Sequence, residues 1–110
     1  MSEPIDPQQA VDYMLKAAPR YARAKAKRVH LEEFRKSKKA LLMRQSTEKT
    51  QGEREAYAYS HPEYIAVVDG LQVAWEAEIT LQWKLKAAEL QVDIWRSQEA
   101  SNRAMDRTTR

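Results

Sequence analysis

Apolar residues between positions 67 and 95 recur at alternating spacings of four and three residues. The members of this seam are Val67, Leu71, Ala74, Glu78, Leu81, Leu85, Ala88, Val92 and Trp95. This period is typical of α-helices that pack on another helix along a narrow line, as in coiled coils. Glu78 is its only polar member. The pattern therefore predicts a long apolar and acidic helix over residues 61–100, and it favours an all-α fold.

A second set of apolar residues widens the face that we expect this helix to bury. Its members are Val68, Trp75, Ile79, Trp83, Leu90 and Ile94. A helix with so wide an apolar face meets more than one neighbour, within the chain or across a subunit boundary. We therefore expect oligomerisation to complete the fold. The residues assigned to the core or the oligomer interface are Leu71, Trp75, Leu81, Leu85, Val92 and Trp95.

The chain before residue 61 also favours helices, since the full sequence of 110 residues includes only two Gly and four Pro. Asp6 and Pro7 predict the start of a short helix over residues 7–18, because Asp caps a helix and Pro suits its first position. Pro19 then predicts a break, since its ring clashes with the preceding turn. A long basic helix is expected over residues 19–50.

Gly52 predicts the end of the basic helix, because glycine suits the left-handed position after a helix. Residues 53–60 fit either a helix or an ordered loop. Ser60 is the expected cap of the last helix, and the basic tail 101–110 is expected to fray or to bind a partner. The prediction is a single domain over residues 1–110, a long helical hairpin with a short N-terminal helix.

Charge is divided between the two long helices. Residues 20–49 carry eleven Lys and Arg against three Glu, a net charge of +8, whereas residues 62–99 carry three basic against seven acidic residues, a net charge of −4. The whole chain has a net charge of only +3. Opposite charge favours antiparallel pairing of the helices, and we expect the outer face of the basic helix to remain free for a polyanion.

Nucleic acid is the polyanion expected here. The residues assigned to phosphate contacts are Lys25, Arg28, Arg35, Lys36, Lys38, Lys39 and Arg44. No zinc-finger spacing or RNA-binding aromatic motif accompanies them, which favours backbone binding over sequence readout. Tyr21, Tyr57 and Tyr59 suit either stacking on unpaired bases or helix packing.

The sequence offers little for catalysis. It has no Cys, no Gly-rich phosphate loop and no nucleophile motif, and neither His30 nor His61 has a metal ligand at a suitable spacing. We expect no enzyme activity, catalytic residue, cofactor or metal site. No apolar run reaches the roughly 20 residues of a membrane span, so we expect a cytoplasmic protein.

Three segments within residues 20–97 resemble one family. They are the Tyr-led basic stretch Tyr21–Arg28, the block LEEFRKSKKALLMRQ and the apolar stretch LQWKLKAAELQVDIWRSQ. Together they resemble the phage recombination mediators, the UvsY-like proteins that load a recombinase onto single-stranded DNA. The resemblance implies a helical homo-oligomer that binds single-stranded DNA and contacts a recombinase and a single-strand-binding protein. It also assigns DNA contacts to Lys38, Lys39 and Arg44.

The leading functional prediction is therefore a non-enzymatic recombination mediator that binds single-stranded DNA. The alternative is a structural or adaptor protein that acts through coiled-coil contacts, in which the basic helix pairs with an acidic partner or with its own acidic helix. A small transcriptional regulator is disfavoured, since no helix-turn-helix pattern is present.

Overall fold

The computed structural model describes residues 3–109, which form three α-helices and no strand. They are α1 (Pro7–Gln45), α2 (Gln51–Ser60) and α3 (Pro62–Thr109). The all-α class and the long helical hairpin are confirmed. The chain divides into two compact units. The central unit is Ala22–Ile79, and the terminal unit comprises the described parts of Met1–Tyr21 and Thr80–Arg110.

The start of α1 is as predicted, but the break at Pro19 is not. The carboxylate of Asp6 accepts hydrogen bonds from the backbone N–H groups of Gln8 and Gln9, at 3.0 and 3.3 Å. Pro19 lies inside one continuous helix, so the division into helices 7–18 and 19–50 is wrong. Pro19 and Leu15 are both exposed, and water can therefore bond the Leu15 carbonyl that Pro19 leaves without a donor. Tertiary packing supports the helix on both sides of Pro19, where Ala17 is buried and Tyr21 is half-buried.

The basic helix ends at Gln45, and residues 51–60 form a separate short helix. The hydroxyl of Thr50 caps this helix by accepting a hydrogen bond from the backbone N–H of Glu53, at 3.2 Å. Gly52 lies inside α2 and does not end α1. The break instead falls among Ser46–Thr50, whose hydroxyl side chains compete for backbone hydrogen bonds; Ser46 accepts one from the N–H of Glu48.

The last helix begins at Pro62, but its cap is His61 and not Ser60. The imidazole Nδ1 of His61 accepts a hydrogen bond from the backbone N–H of Glu63, at 3.1 Å. Ser60 belongs to α2, where its hydroxyl donates to the carbonyl of Ala56. The tail, predicted either to fray or to bind a partner, is helical as far as Thr109, because no Gly or Pro follows Gly70 and the residues there suit a helix. Arg110 lies outside the described residues.

The seam of α3 faces α1 in both units. Leu71, Ala74, Glu78 and Ala88 are buried, and the other five seam residues are half-buried. A matching seam with the same period runs along α1. It comprises Ala10, Met14, Ala17, Tyr21, Ala24, Arg28, Leu31, Arg35, Lys38 and Leu42, all buried or half-buried. Within residues 3–109, no helix is apolar enough over a sufficient length to cross a membrane.

Candidate functional site

An ion pair occupies the middle of the central unit's seam. The Nε and Nη2 atoms of Arg28 donate to the two carboxylate oxygens of Glu78, at 2.8 and 2.9 Å. Nη1 donates to Glu32 at 3.1 Å, and the guanidinium carbon lies 4.4 Å from the centre of the Trp75 ring. Hydrogen bonds from Arg28 lower the pKa of Glu78 despite its burial, and Glu78 in turn raises the pKa of Arg28. Every charged nitrogen of Arg28 is thus engaged within the chain.

The expectation that Arg28 lies on the free outer face of α1 is therefore wrong. The reason is its heptad position: residues 28, 35 and 38 share the α1 seam with Leu31 and Leu42. Lys38 accordingly pairs with Glu63 of α3 at 3.1 Å, and its side chain is only 22% exposed. Two of the seven cations assigned to phosphate contacts thus bind acidic residues of α3.

Three other assigned cations lie around one hollow of about 310 Å³ in the central unit. We call it the tyrosine–cation hollow; its lining residues are Arg35, Lys36, Lys39, Tyr59 and Tyr64. The Lys39 Nζ atom lies 4.7 Å from the centre of the Tyr59 ring, and the Tyr59 and Tyr64 rings meet edge to face at 5.3 Å. A hydrogen bond to Tyr59 raises the pKa of Lys39, although burial opposes it. Lys39 therefore keeps its charge at neutral pH.

The ion pairs at this hollow are loose. Lys39 lies 3.8 Å from Glu55, and Lys36 lies 3.3 Å from Glu33, with both side chains of the second pair about two-thirds exposed at 67% and 69%. Exposed pairs of this kind contribute little to stability. Arg35 forms no ion pair with any residue in the range 3–109. These cations can therefore bind an anion without the loss of a strong internal contact.

The sequence assigned some of this hollow correctly and missed one residue. Tyr59 was a candidate for stacking and lines it, whereas Tyr57 packs edge-on against His61, 5.6 Å away. Tyr64 was not assigned, because nothing in its sequence neighbourhood distinguishes it from a packing residue. It reaches the hollow because the loop-free junction at His61 sets the start of α3 directly after α2.

The remaining cations lie on the outside of α1. Lys25 and Arg44 are exposed, as are Arg23 and Lys27, which the sequence did not assign to the site. In the part of the chain that the structure describes, none of these four forms an ion pair. Lys25 contributes to the lowered pKa of Glu78 through its charge. Arg44 lines a second hollow of about 280 Å³ with Arg54.

The residues assigned to the core or oligomer interface differ in exposure. Leu71 is buried, and Leu81, Leu85, Val92 and Trp95 are half-buried. Trp75 is 39% exposed, beside Arg28. The widening set Val68, Trp75, Ile79, Trp83, Leu90 and Ile94 is exposed throughout; we call it the outer stripe of α3. This set is therefore not buried within the chain, because α1 covers only the seam, and its burial across a subunit boundary stays a prediction.

Acidic and histidine side chains do not gather into a metal site. Among residues 3–109, no group of three or more His, Asp or Glu side chains could hold a metal ion. His30 stacks on Phe34 with a ring separation of 6.1 Å, and His61 serves as a helix cap. Comparison with family models, curated proteins and solved structures finds no match to this chain.

Proposed function

We propose that this protein binds single-stranded nucleic acid at the tyrosine–cation hollow. The observation that carries the proposal is the convergence of three cations and two tyrosines on one hollow. Phosphate groups attract the cations, and each phosphate neutralised releases counterions, so that affinity falls as salt rises. The hollow is small and open to a strand that passes along the surface.

The two tyrosines favour unpaired bases over a duplex. Tyr59 is 46% exposed, so part of its ring is accessible to a base. A base in a duplex is already stacked, whereas an unpaired base gains stacking energy on an aromatic ring without the cost of unpairing. Tyr64, edge-on to Tyr59, supports the ring at a fixed angle. Because every base has an aromatic face, the binding is expected to tolerate any sequence.

The finer proposal is that the bound strand is presented to a recombinase. It rests on the resemblance of the Tyr21–Arg28 stretch and the LEEFRKSKKALLMRQ block to the phage recombination mediators. Lys39, which that resemblance assigns to DNA contact, lines the hollow, and Arg44 is exposed beside the second hollow. Lys38, the third residue so assigned, pairs with Glu63.

The phosphate contribution is tested by fluorescence anisotropy with a labelled oligothymidine across a salt series. Replacement of Arg35, Lys36 and Lys39 by Gln is expected to weaken binding by at least about tenfold and to reduce the salt slope by about 2. The matched control replaces Lys84, Arg103 and Arg107 by Gln, which removes the same charge from exposed positions of α3. If both variants lost oligothymidine affinity equally, general electrostatic attraction would explain the binding. That result would contradict the proposal that the hollow is the binding site.

The stacking contribution is tested by Tyr59→Leu. Loss of one stacked base is expected to weaken oligothymidine binding by about tenfold and to leave the salt slope unchanged. Tyr57→Leu is the control, because Tyr57 packs on His61 and does not line the hollow. A Tyr59→Leu protein that binds like the unsubstituted one would exclude base stacking at this position.

A second function, that of an adaptor without nucleic acid, is favoured by a different observation. Arg28, Lys38 and Lys39 all pair with acidic residues of α2 or α3. In an adaptor, the basic residues would hold the helices together in this way and would not bind phosphate. Substitution of Arg35, Lys36 and Lys39 by Gln separates the two functions, because none of these residues forms a strong ion pair within the described chain. Unfolding or dissociation supports the adaptor, and a folded protein that no longer binds oligothymidine supports the nucleic-acid function.

A further inference from the structure

The three cations of the tyrosine–cation hollow lie close together along α1. Arg35, Lys36 and Lys39 span four residue steps, which is roughly 6 Å of helix rise. Proteins that follow a strand without reading its sequence instead distribute cations along a groove, over about 4–16 nucleotides in OB folds. The three cations of the hollow can therefore converge on a single phosphate group, and they do not form a track along a backbone.

The volume of the hollow limits the length of strand that it can hold. It is about 310 Å³. Pockets for small ligands range from about 300 to 1,000 Å³, so this hollow is at the lower end of the range. It has room for a ligand of about one nucleotide and not for a length of strand.

Two carboxylates already lie beside the cations. Glu33 is 3.3 Å from Lys36, and Glu55 is 3.8 Å from Lys39. An internal phosphodiester has one negative charge, as a carboxylate has, so a diester that displaces a carboxylate exchanges like for like. A phosphate monoester carries about −1.5 to −2 charges at pH 7 and has three acceptor oxygens. The monoester therefore gains more from these cations than a diester does.

Arg35 supplies a donor group that no carboxylate of the described chain uses. It forms no ion pair with any residue between positions 3 and 109. Its guanidinium presents a planar fork of donors that matches two oxygens of one phosphate, whereas Lys36 and Lys39 act as point charges. The three cations together suit a phosphate with three free oxygens.

The aromatic side of the hollow suits the last base of a strand. Tyr59 is 46% exposed, and its ring meets that of Tyr64 edge to face at 5.3 Å. An internal base must leave a neighbour on each side before it stacks on a protein ring, and this unstacking costs free energy. A terminal base has only one neighbour to leave, so it reaches Tyr59 at a lower cost.

We propose that the tyrosine–cation hollow binds the end of a strand that carries a phosphate monoester. The phosphate lies among Arg35, Lys36 and Lys39, and the terminal base stacks on the accessible part of Tyr59. This assignment rests on the proposed function and adds which part of a strand the hollow prefers. Every residue that it uses belongs to the central unit.

The test is competition, followed by fluorescence anisotropy, against a labelled oligothymidine with hydroxyl ends. The unlabelled competitors have equal lengths and carry a 5′-phosphate, a 3′-phosphate or hydroxyl groups at both ends. A phosphate at the preferred end is expected to strengthen binding by about tenfold, since it adds charge-assisted hydrogen bonds. A hydroxyl-ended competitor two nucleotides longer is the control, because its extra phosphodiesters add a similar charge.

The place where the terminal phosphate binds is tested by replacement of Arg35 and Lys36 by Gln. The advantage of the phosphorylated end is expected to fall from about tenfold to about twofold or less. Replacement of Lys84 and Arg103 by Gln is the matched control, since it removes the same charge from exposed positions of α3. Circular dichroism checks that both proteins remain helical. Lys36→Gln alone, where the side chain is 67% exposed, replaces the double variant if the latter unfolds.

Equal binding of all three kinds of end, or an advantage that the longer control matches, would overturn the proposal. An advantage that persists without Arg35 and Lys36 would also overturn it. So would competition by thymidine monophosphate as strong as that of the phosphorylated strand, because the ligand would then be a free nucleotide. In each of these cases hydroxyl-ended oligothymidine still binds and the proposed function stands. Absence of binding by every oligothymidine would instead overturn the proposed function itself.

Discussion

The central and terminal units use the same heptad geometry with different side chains. In the central unit the seam holds Arg28 and Glu78, an ion pair closed by two hydrogen bonds. In the terminal unit the seam holds Ala10, Ala17 and Ala88, all buried. The alanines allow close helix packing but accept a shift along the seam, whereas the ion pair fits in one position only. The difference indicates that the register of the two helices is fixed more strongly within the central unit than within the terminal unit.

The largest effect should come from breaking the ion pair. Glu78→Gln leaves the Arg28 guanidinium in the seam without its charged partner, and we expect the melting temperature to fall by about 10 °C. Thermal unfolding followed by circular dichroism measures it. Glu76→Gln, an exposed neighbour on α3, is the control and should change little.

The double variant Arg28→Met with Glu78→Leu sharpens this result. An apolar pair of similar volume is expected to restore the lost stability, because neither charge is then buried. Hydrogen exchange of the double variant should show whether α1 and α3 still pack in a single register. If Glu78→Gln melts like the unsubstituted protein, the ion pair does not stabilise the central unit.

The next effect concerns the terminal unit. Ala17 is 2% exposed, so Ala17→Leu forces a larger side chain between closely packed helices. We expect a loss of about 2 kcal/mol in the free energy of unfolding, measured with urea. Leu15→Ala, at an exposed position of the same helix, is the control. An unchanged or higher stability of Ala17→Leu would show that the terminal seam is loosely packed.

A smaller effect should follow acidification. Because Arg28 lowers the pKa of Glu78 in the folded state, this carboxylate stabilises the fold fully above its ordinary pKa of about 4.3. The contribution is lost as the pH falls through the lower pKa of the folded state. The unsubstituted protein should therefore lose more stability between about pH 5 and pH 2 than Glu78→Gln does. Parallel pH profiles of the two proteins would refute the link to Glu78.

The smallest effect is expected at Gly70 of the central unit. It is helical, and a Cβ atom added there would meet no atom within 4 Å. Gly70→Ala should raise the free energy of unfolding by about 0.5–1 kcal/mol through helix propensity alone. Gly52→Ala in the first turn of α2 should gain less, since propensity counts less at a helix end. A loss of stability at Gly70 would mean that a helix from another copy packs closely there.

Much of α3 was predictable because every residue of its seam except Glu78 is apolar. Leu71, Leu81, Leu85 and Val92 recur at the helix period, and the helix starts at Pro62 as the sequence indicates. The seam of α1 escaped prediction because Arg28, Arg35 and Lys38 occupy apolar positions of its heptad. A search for a heptad period that counts only apolar residues cannot find the α1 seam. Arg28, Arg35 and Lys38 are then taken for exposed surface cations.

Other errors came from weighing local signals above packing. Pro19 is a strong local reason to end a helix, yet α1 continues through it, with Ala17 buried before it and Tyr21 half-buried after it. The exposure of the outer stripe of α3 within one chain could not be predicted, since hydrophobicity shows that a side chain favours burial but not whether the same chain or a partner covers it. The tyrosine–cation hollow was assigned only in part, because Tyr64 is distant in sequence from Lys39.

The sequence by itself determined that the chain is helical, that α3 carries a long seam and that opposite charges lie on different helices. These properties depend on residues a few positions apart, whose relation a helix fixes. Only the tertiary structure decided which cations are used within the chain and which remain free for a partner. Arg28 meets Glu78 across 50 residues of sequence, and the availability of a charge depends on what the opposing helix places beside it.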